Sequence, residues 1–489
     1  MRVTLASLTT ASFAAVLAVT PAWAATPAPP ATPASAATPA WAAPATAAAY
    51  VPHQVLVGYA PGPVAKVTTA FETRMGIRTA PGPAPGPRSR LLTLPPRESV
   101  PSALKRLRRQ PGVAYAEPNY IAHEAGAFYP NDPGRSGQAQ GWEKMQWNLL
   151  PYTGINAPEG WANLIADHRP GGTGVVVAIL DTGVAYRNWG KFRQSPDFRG
   201  THFVDPYDFV ARNRYPLDRN GHGTFVAGVV GERTNNAVGL AGIAYGASIM
   251  PVRILDASGL GDEATIARGI RYAASHGAQI INLSLEFLPN EVSSASDIPE
   301  IVSAINFAHS RGVTVVGAAG NDQSTQIAYP ARVPNVISVG ATTRDLCLAD
   351  YSNGGTGLDL VAPGGGSDAI MPGDPNCFPD RSLPSIYQLT LIDPPHWGRF
   401  GYPGYYIGTS MSSPEVAATA ALVIASGVIG RDPKPAAILA HLEQTAIPLG
   451  CAGRTETPGC LHEPNPEYGY GIVNAGAATA PPVVPAPSG

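Results

Sequence analysis

Residues 174–183 read GVVVAILDTG. An unbroken apolar run of strand length that stops at Asp181, Thr182 and a glycine is the pattern of a strand buried on both faces and ended by a polar turn. Comparable runs recur at 249–255, 279–285, 313–319 and 336–340. Between them, 262–276 places Ile266, Ile270 and Ala273 at helical spacing, and 299–311 does the same with Ile301, Ile305 and Ala308. Gly277 and Gly312 act as stops. Doubly buried strands alternating with amphipathic helices predict an α/β fold built on a parallel sheet. Sites in such sheets gather beyond the carboxyl ends of strands, so Asp181 is the first residue to consider for chemistry.

Toward the N-terminus the pattern changes. Residues 50–124 hold short apolar strands at Val55–Val57 and 91–94, a Pro/Gly loop at 81–87, a basic amphipathic helix over 102–110 around Leu104 and Leu107, and a strand over 113–120. This is a small α+β domain near the minimum size that folds alone. Residues 25–49 contain only Ala, Thr, Pro, Ser and Trp41 and read as linker. Residues 1–24, with Arg2, an apolar stretch from Leu5 to Val19 and Ala22-Trp23-Ala24, read as a secretory signal. The larger unit runs over 125–480, with a Pro-rich tail at 481–489. The expected location is therefore secreted and extracellular. No later run approaches spanning length, so no membrane anchor is expected.

Across 489 residues, 33 Lys+Arg against 35 Asp+Glu leave a formal charge of -2, too balanced to capture nucleic acid. The balance is uneven along the chain: residues 50–124 carry +6 and residues from Ala125 onward carry -9. The two parts should attract one another, unless the basic run from Lys105 to Arg109 is simply a solvated helix face. Gly 53 and Pro 51 imply many turns, and hydrophobic residues at 44% suffice for a sizeable core. Export makes Cys347, Cys377, Cys451 and Cys460 candidates for two disulfides with three possible pairings. Local pairing, Cys347 with Cys377 and Cys451 with Cys460, is the simplest. Metal spacings of the CxxC or HxxxH kind are absent from the sequence.

Two further polar residues join Asp181. His222 lies in DRNGHGTFVAG, and Ser410 in GTSMSSPEVAA at the head of an apolar helix running to Ala425. A hydroxyl becomes a nucleophile when a neutral imidazole takes its proton, and a carboxylate fixes the tautomer and stabilises the cation. Singly, each residue reads as easily as a turn residue or a helix cap. Together the runs resemble the subtilisin-like serine proteases, in which the order along the chain is Asp, His, Ser. VPHQVLVGYAPG and VAYAEPNY resemble the first and last strands of that family's inhibitory propeptide. NDP followed by QWNL resembles the start of the mature enzyme, and GYGIVNAGAA its C-terminal run.

The resemblance implies a three-layer subtilisin-like domain with a mostly parallel sheet behind a small α+β propeptide domain. It implies a serine endopeptidase acting on extended polypeptides and made as a self-processing precursor with its own propeptide as inhibitor. By motif, Asp181 orients His222, His222 is base and then acid, Ser410 is the nucleophile, and Asn321 of AAGND supplies an oxyanion donor. Ser258-Gly259-Leu260-Gly261 and Ser284-Leu285-Glu286 correspond to edges that pair with substrate, and Ala318-Ala319-Gly320 to a wall of the specificity pocket. The loop RTNNAVGL implies a structural Ca²⁺, held by the Asn236 side chain and the carbonyls of Thr234, Val238 and Leu240, with Asp197 and Asp132.

Three positions depart from the family pattern: Glu286 replaces Gly, Phe225 replaces His, and Glu415 replaces His. Glu286 either brings negative charge to the pocket rim, favouring basic or polar side chains, or points to solvent. An α/β-hydrolase esterase is the first rival, but GTSMS lacks the final Gly of G-x-S-x-G, and the acid and His precede the Ser. A non-catalytic binding protein keeping the cleft is the second; substituting Ser410 separates it from an enzyme.

Overall fold

A computed structural model of the protein describes residues 50–60, 72–80, 84–120, 126–370, 377, 383–394, 396–449 and 464–482. The signal and linker, Cys451, Cys460 and most of the Pro-rich tail lie outside the described residues.

The small N-terminal unit is an antiparallel sheet of β1 (Tyr50–Tyr59), β2 (Arg78–Thr79), β3 (Ser89–Thr93) and β4 (Val113–Tyr120), in the order β2-β3-β1-β4. One helix, α1 (Val100–Leu107), lays Val100, Ala103, Leu104 and Leu107 on Val55, Val57, Leu92 and Ala116. The helix starts earlier than the expected 102–110. Ser99 caps it by accepting from Ser102 N–H, and Pro101 suits the first turn, where its missing N–H costs nothing. It also ends sooner, and Arg108 beyond it donates from Nε to the Ala116 carbonyl at 2.7 Å.

The large sheet contains β5 (Val176–Asp181), β6 (His202–Phe203), β7 (Tyr207–Asp208), β8 (Ser248–Arg253), β9 (Ile280–Leu283), β10 (Thr314–Ala318), β11 (Val336–Thr342) and β12 (Leu360–Pro363). Its order is β12-β11-β10-β9-β5-β8-β6, with β7 also pairing β8, and every pair is parallel. Around it stand α2 (Ala157–Ala166), α3 (His222–Gly231), α4 (Glu263–Ser275), α5 (Pro299–Ser310), α6 (Thr409–Ser426) and α7 (Pro435–Thr445).

Alternation along the strands makes three layers. Val177, Ile179, Ile280 and Val316 join the core beneath α3 and α6, which includes Phe225, Val226, Met411 and Val416. Ala178, Leu180, Ile281, Leu283 and Val315 face the other way, onto Ile266 and Ile270 of α4 and Ile301 and Ile305 of α5. Apolar residues on both faces are what such a buried strand requires. After β5 the chain adds β8 on one side and β9 to β12 on the other, so β5 lies where the strand order reverses, and the crevice past its carboxyl end is the natural site.

Cys347 and Cys377 form a disulfide. Among the described residues no helix is long and apolar enough to cross a membrane.

Candidate active site

Asp181 is the last residue of β5, inside the strand rather than just after it. Its side chain is buried, and Oδ1 accepts from Thr182 N–H at 2.7 Å. His222 opens α3, and its Nδ1–H donates to Asp181, 2.8 Å from Oδ1 and 3.0 Å from Oδ2. That bond places the ring proton on Nδ1 and leaves Nε2 as an acceptor. Close approach of α3 to the strand needs the glycine that follows: a Cβ on Gly223 would lie 2.2 Å from the Gly183 carbonyl and 3.0 Å from Asp181 Oδ1.

A second carboxylate builds the support. Asp218 Oδ1 accepts from Thr182 Oγ1, Asn220 N–H and Gly221 N–H, while Oδ2 accepts from Thr224 N–H and Oγ1. Thr182 Oγ1 in turn accepts from Gly223 N–H at 2.9 Å. Burial lowers the His222 pKa, but the charge of Asp181, its hydrogen bond and the charge of Asp218 outweigh it, and the net displacement is upward.

Ser410 lies in the first turn of α6, which is capped by Gly408, so it is not the helix cap. Helix N–H groups in that turn have no partner inside the helix, and the Ser410 N–H is one of them. Pro414, one turn on, lacks the N–H that would bond the Ser410 carbonyl; Ser284 Oγ donates to that carbonyl instead, at 2.9 Å. Ser410 Oγ donates to the Ser284 carbonyl at 3.3 Å, and no His222–Ser410 hydrogen bond occurs among the described residues.

Asn321 follows β10 and is clamped. Its Oδ1 accepts from Thr409 N–H at 2.8 Å and from Thr409 Oγ1 at 3.2 Å. Its Nδ2 donates to Glu286 Oε1 at 3.0 Å, and its backbone N–H to Glu286 Oε2 at 3.1 Å. Of the two readings of Glu286, the carboxylate turns inward. Gly320 permits this, since a Cβ there would lie 2.5 Å from Glu286 Oε2 and 2.2 Å from Asn353 Nδ2. Burial raises the Glu286 pKa, the Asn321 bonds oppose it, and the charge of Asp322 adds to the rise.

Leu285, Ala318 and Ala319 continue the two segments that flank this point; Ala318 and Ala319 are buried. Ser258, Gly259, Leu260 and Gly261 form a turn past β8, where Asp256 accepts from Ser258 and Leu260 N–H through Oδ1 and from Gly259 N–H through its carbonyl. Leu260 is 70% exposed at its tip. Phe225 stacks flat on Tyr406, with ring centroids 4.1 Å apart, and Glu415 accepts from Asn148 Nδ2 at 2.7 Å in the core.

The candidate cation residues meet away from the cleft. Asp132 accepts from Asn235 N–H (2.8 Å) and Asn236 N–H (3.0 Å); Asp197 accepts from Asn236 Nδ2 and Leu240 N–H, both at 2.8 Å; Asn236 Oδ1 accepts from Val238 N–H at 2.7 Å. Thr234 Oγ1 donates to the Gly242 carbonyl at 3.1 Å. Asp132 and Asp197 are fully buried, and among the described residues neither pairs with a Lys or Arg. Burial pushes their carboxyl groups up, to about 7 and about 8. No cluster of three or more His, Cys, Asp or Glu suited to a metal occurs among the described residues. The set is nevertheless chemically apt, because two buried carboxylates without a basic partner and a side-chain amide are hard oxygen donors of the kind Ca²⁺ takes.

The chain belongs to the subtilase family, whose model matches residues 172–471. A second model, the fervidolysin N-terminal prodomain, matches residues 36–119. The chain is 36% identical over 329 residues to a thermophilic serine proteinase of Bacillus sp. (strain AK1), covering 67% of each. It is 35% identical over 316 residues to subtilisin Savinase of Lederbergia lenta, covering 64% of this chain and 94% of that one. With thermitase of Thermoactinomyces vulgaris it shares 33% over 326 residues, 67% of this chain and 94% of that one. A solved protease structure from Pseudoalteromonas arctica aligns with TM-score 0.53 at 29% identity, covering 72% of this chain and 98% of that one. The protein is a subtilisin-type serine endopeptidase with an N-terminal prodomain.

Sequence reading missed several supports of the site: Asp218, Thr182, Thr224, Thr409 and the Ser284 hydroxyl. Asp218 carried a signal, since an Asp two residues before Asn-Gly is a side-chain acceptor for its own turn. Thr409 and Ser284 act through contacts distant in sequence.

Proposed function

We propose that the protein is exported as an inactive precursor, cleaves itself, and then hydrolyses extended polypeptides through Asp181, His222, Ser410 and Asn321. The observation that carries this reading is the Asp181–His222 pair at 2.8 Å, at the carboxyl end of the strand where the sheet order reverses. Ser410 turns from the Ser284 carbonyl to His222 when substrate arrives; a bond of 3.3 Å is weak and readily exchanged.

Oγ attacks the scissile carbonyl carbon as its proton passes to His222 Nε2, and Asp181 stabilises the imidazolium through Nδ1–H. The oxyanion takes hydrogen bonds from the Ser410 N–H and Asn321 Nδ2; one such donor contributes on the order of 3 kcal/mol to the barrier. The C–N bond breaks, Nε2 gives the proton to the leaving amine, and water hydrolyses the acyl-enzyme with His222 again as base. Ser258 to Gly261 and Ser284 to Glu286 receive the substrate backbone, with Ala318, Ala319 and Gly320 beside its side chain. Asp132, Asp197 and Asn236, with the carbonyls of Thr234, Val238 and Leu240, would hold a Ca²⁺ that neutralises the buried carboxylates and stabilises the fold. Residues 50–124 act as inhibitor, and the bond cut in self-processing falls near 120–127, a stretch in which 121–125 lie outside the described residues.

Expression of wild type and Ser410→Ala with the signal intact, followed by mass spectrometry of the secreted products, tests the reading. Wild type should lose about 100 residues beyond the signal while the variant stays whole, as the 25–124 segment requires. Processing of both alike would remove self-cleavage, and an inert wild type would remove the catalytic assignment.

A further inference from the structure

Two chain segments that would bracket the substrate side chain are fixed independently of Glu286. Ser284 is tied to the nucleophile's helix through Ser410 and Ser413, and Phe287 N–H donates to the Tyr329 carbonyl at 2.8 Å. Opposite, Ala319 N–H donates to the Val339 carbonyl and Gly320 N–H to Thr409 Oγ1. The Glu286 side chain reaches from the first segment to the second, over Gly320, and accepts from the Asn321 backbone N–H and from one of the two Nδ2 hydrogens, which fixes the direction of the amide. On the serine-protease reading this puts it at the mouth of the specificity pocket, and it holds the amide assigned to the oxyanion.

Asp322 adds a second carboxylate beside it, and no Lys or Arg pairs with Glu286 among the described residues. A half-buried carboxylate of this kind is complemented by a cation from outside. We propose that Glu286 selects Arg or Lys at the residue whose carbonyl is cleaved and couples that choice to the oxyanion donor. The inference rests on the serine-protease reading above.

A cationic side chain entering between the two segments pairs with Glu286 and draws the carboxylate off Asn321 Nδ2, which then serves the oxyanion. A neutral side chain leaves the Asn321 amide on Glu286. Substrate charge is thus read in kcat as well as in KM, because the interaction released is one that the transition state uses.

The test uses mature wild type, Glu286→Gln and Glu286→Gly, with matched peptides that differ only at the cleaved residue: Arg, Lys, Leu, Phe and Glu. A serine-directed fluorophosphonate, located by mass spectrometry, counts competent enzyme in each preparation, so partial misfolding does not enter the ratios. Wild type should prefer Arg and Lys over Leu by about tenfold or more in kcat/KM, the order expected for a partly desolvated charge pair, with a large share in kcat. Both variants should bring the ratio close to one. Labelling of Ser410 with equal rates for Arg and Leu in wild type, or an Arg preference unchanged in both variants, overturns the role of Glu286 and leaves the protease reading standing. Neither labelling nor hydrolysis in wild type sinks the protease reading itself.

Discussion

Asp181 and Glu415 are carboxyl groups sealed in the same core, at 1% and 0% exposure, yet they face different partners. Asp181 meets an imidazole that can carry a proton and a charge. Glu415, five residues past Ser410 on the same helix, meets the amide of Asn148 and no charge. What faces a buried carboxyl group decides what it can do; on the proposed mechanism the first serves the chemistry and the second the architecture. The largest effect should follow from removing the charge of the first. Asp181→Asn should cut kcat by about ten-thousand-fold, since the imidazole loses its tautomer and its counterion. It should also move the acid limb of the pH–rate profile down. As the proposed base, wild-type His222 must be neutral to act, and the upward displacement of its pKa raises that limb from the ordinary histidine value. Profiles of kcat/KM for both proteins check this; an unmoved limb breaks the comparison.

Asp132 and Asp197 form a third case, buried carboxylates whose partners are N–H donors alone. If Ca²⁺ is the missing charge, chelation should lower stability by about 3 kcal/mol relative to a cation held near a hundredfold above its Kd. The melting temperature should fall by roughly 5–10 °C. Asp197→Asn should reduce the response to chelator. A melting temperature indifferent to chelator would make the loop self-sufficient.

Legibility differs in the same way across the molecule. Strands such as β5 and β10 were readable because doubly buried strands are apolar throughout, and α4 and α5 because one face is wet. α3 escaped: HGTFVAGVVG is buried along nearly its whole length, so it shows no period and looks like a loop rich in glycine. α2 and α7 were missed too, each short and opened by proline. Motifs gave the order Asp181, His222, Ser410, but the inward turn of Glu286 and the Asn148 partner of Glu415 depend on contacts made across the fold.

A smaller and pH-dependent effect isolates Glu415. Burial holds its carboxyl group well above the ordinary range, opposed only by the Asn148 bond. Glu415 Oε2 and Asn148 Oδ1 are each buried without a donor among the described residues, and a proton on Oε2 supplies one. A folded pKa above the unfolded one means that the native state binds the extra proton. Stability is therefore full below about pH 4.5 and declines as pH rises toward the folded value, by about 1.4 kcal/mol per unit. Glu415→Gln carries the same donor and acceptor pattern without titrating. Denaturation between pH 5 and 8 should show wild type losing stability relative to this variant as pH rises. Parallel curves would mean that Glu415 is ionised in the native state, and its contrast with Asp181 would vanish.

The smallest effect concerns charge at the surface, where water screens what the core does not. In α1 and just past it, Arg106 pairs with Glu98 at 3.5 Å and Arg108 donates to Ala116, so these two are partly engaged within the small sheet. Lys105 and Arg109 have no ion pair among the described residues, which leaves them as the charges best able to attract an enzyme segment of opposite sign. Lys105→Gln with Arg109→Gln should slow self-processing several-fold at low ionic strength, and the difference should shrink above about 0.5 M salt, where the Debye length is only a few ångströms. Arg106→Gln should do less to assembly and more to the melting of the small sheet. Equal processing of all three proteins at low salt would make the basic stripe a solvated face, with docking left to apolar and backbone contacts.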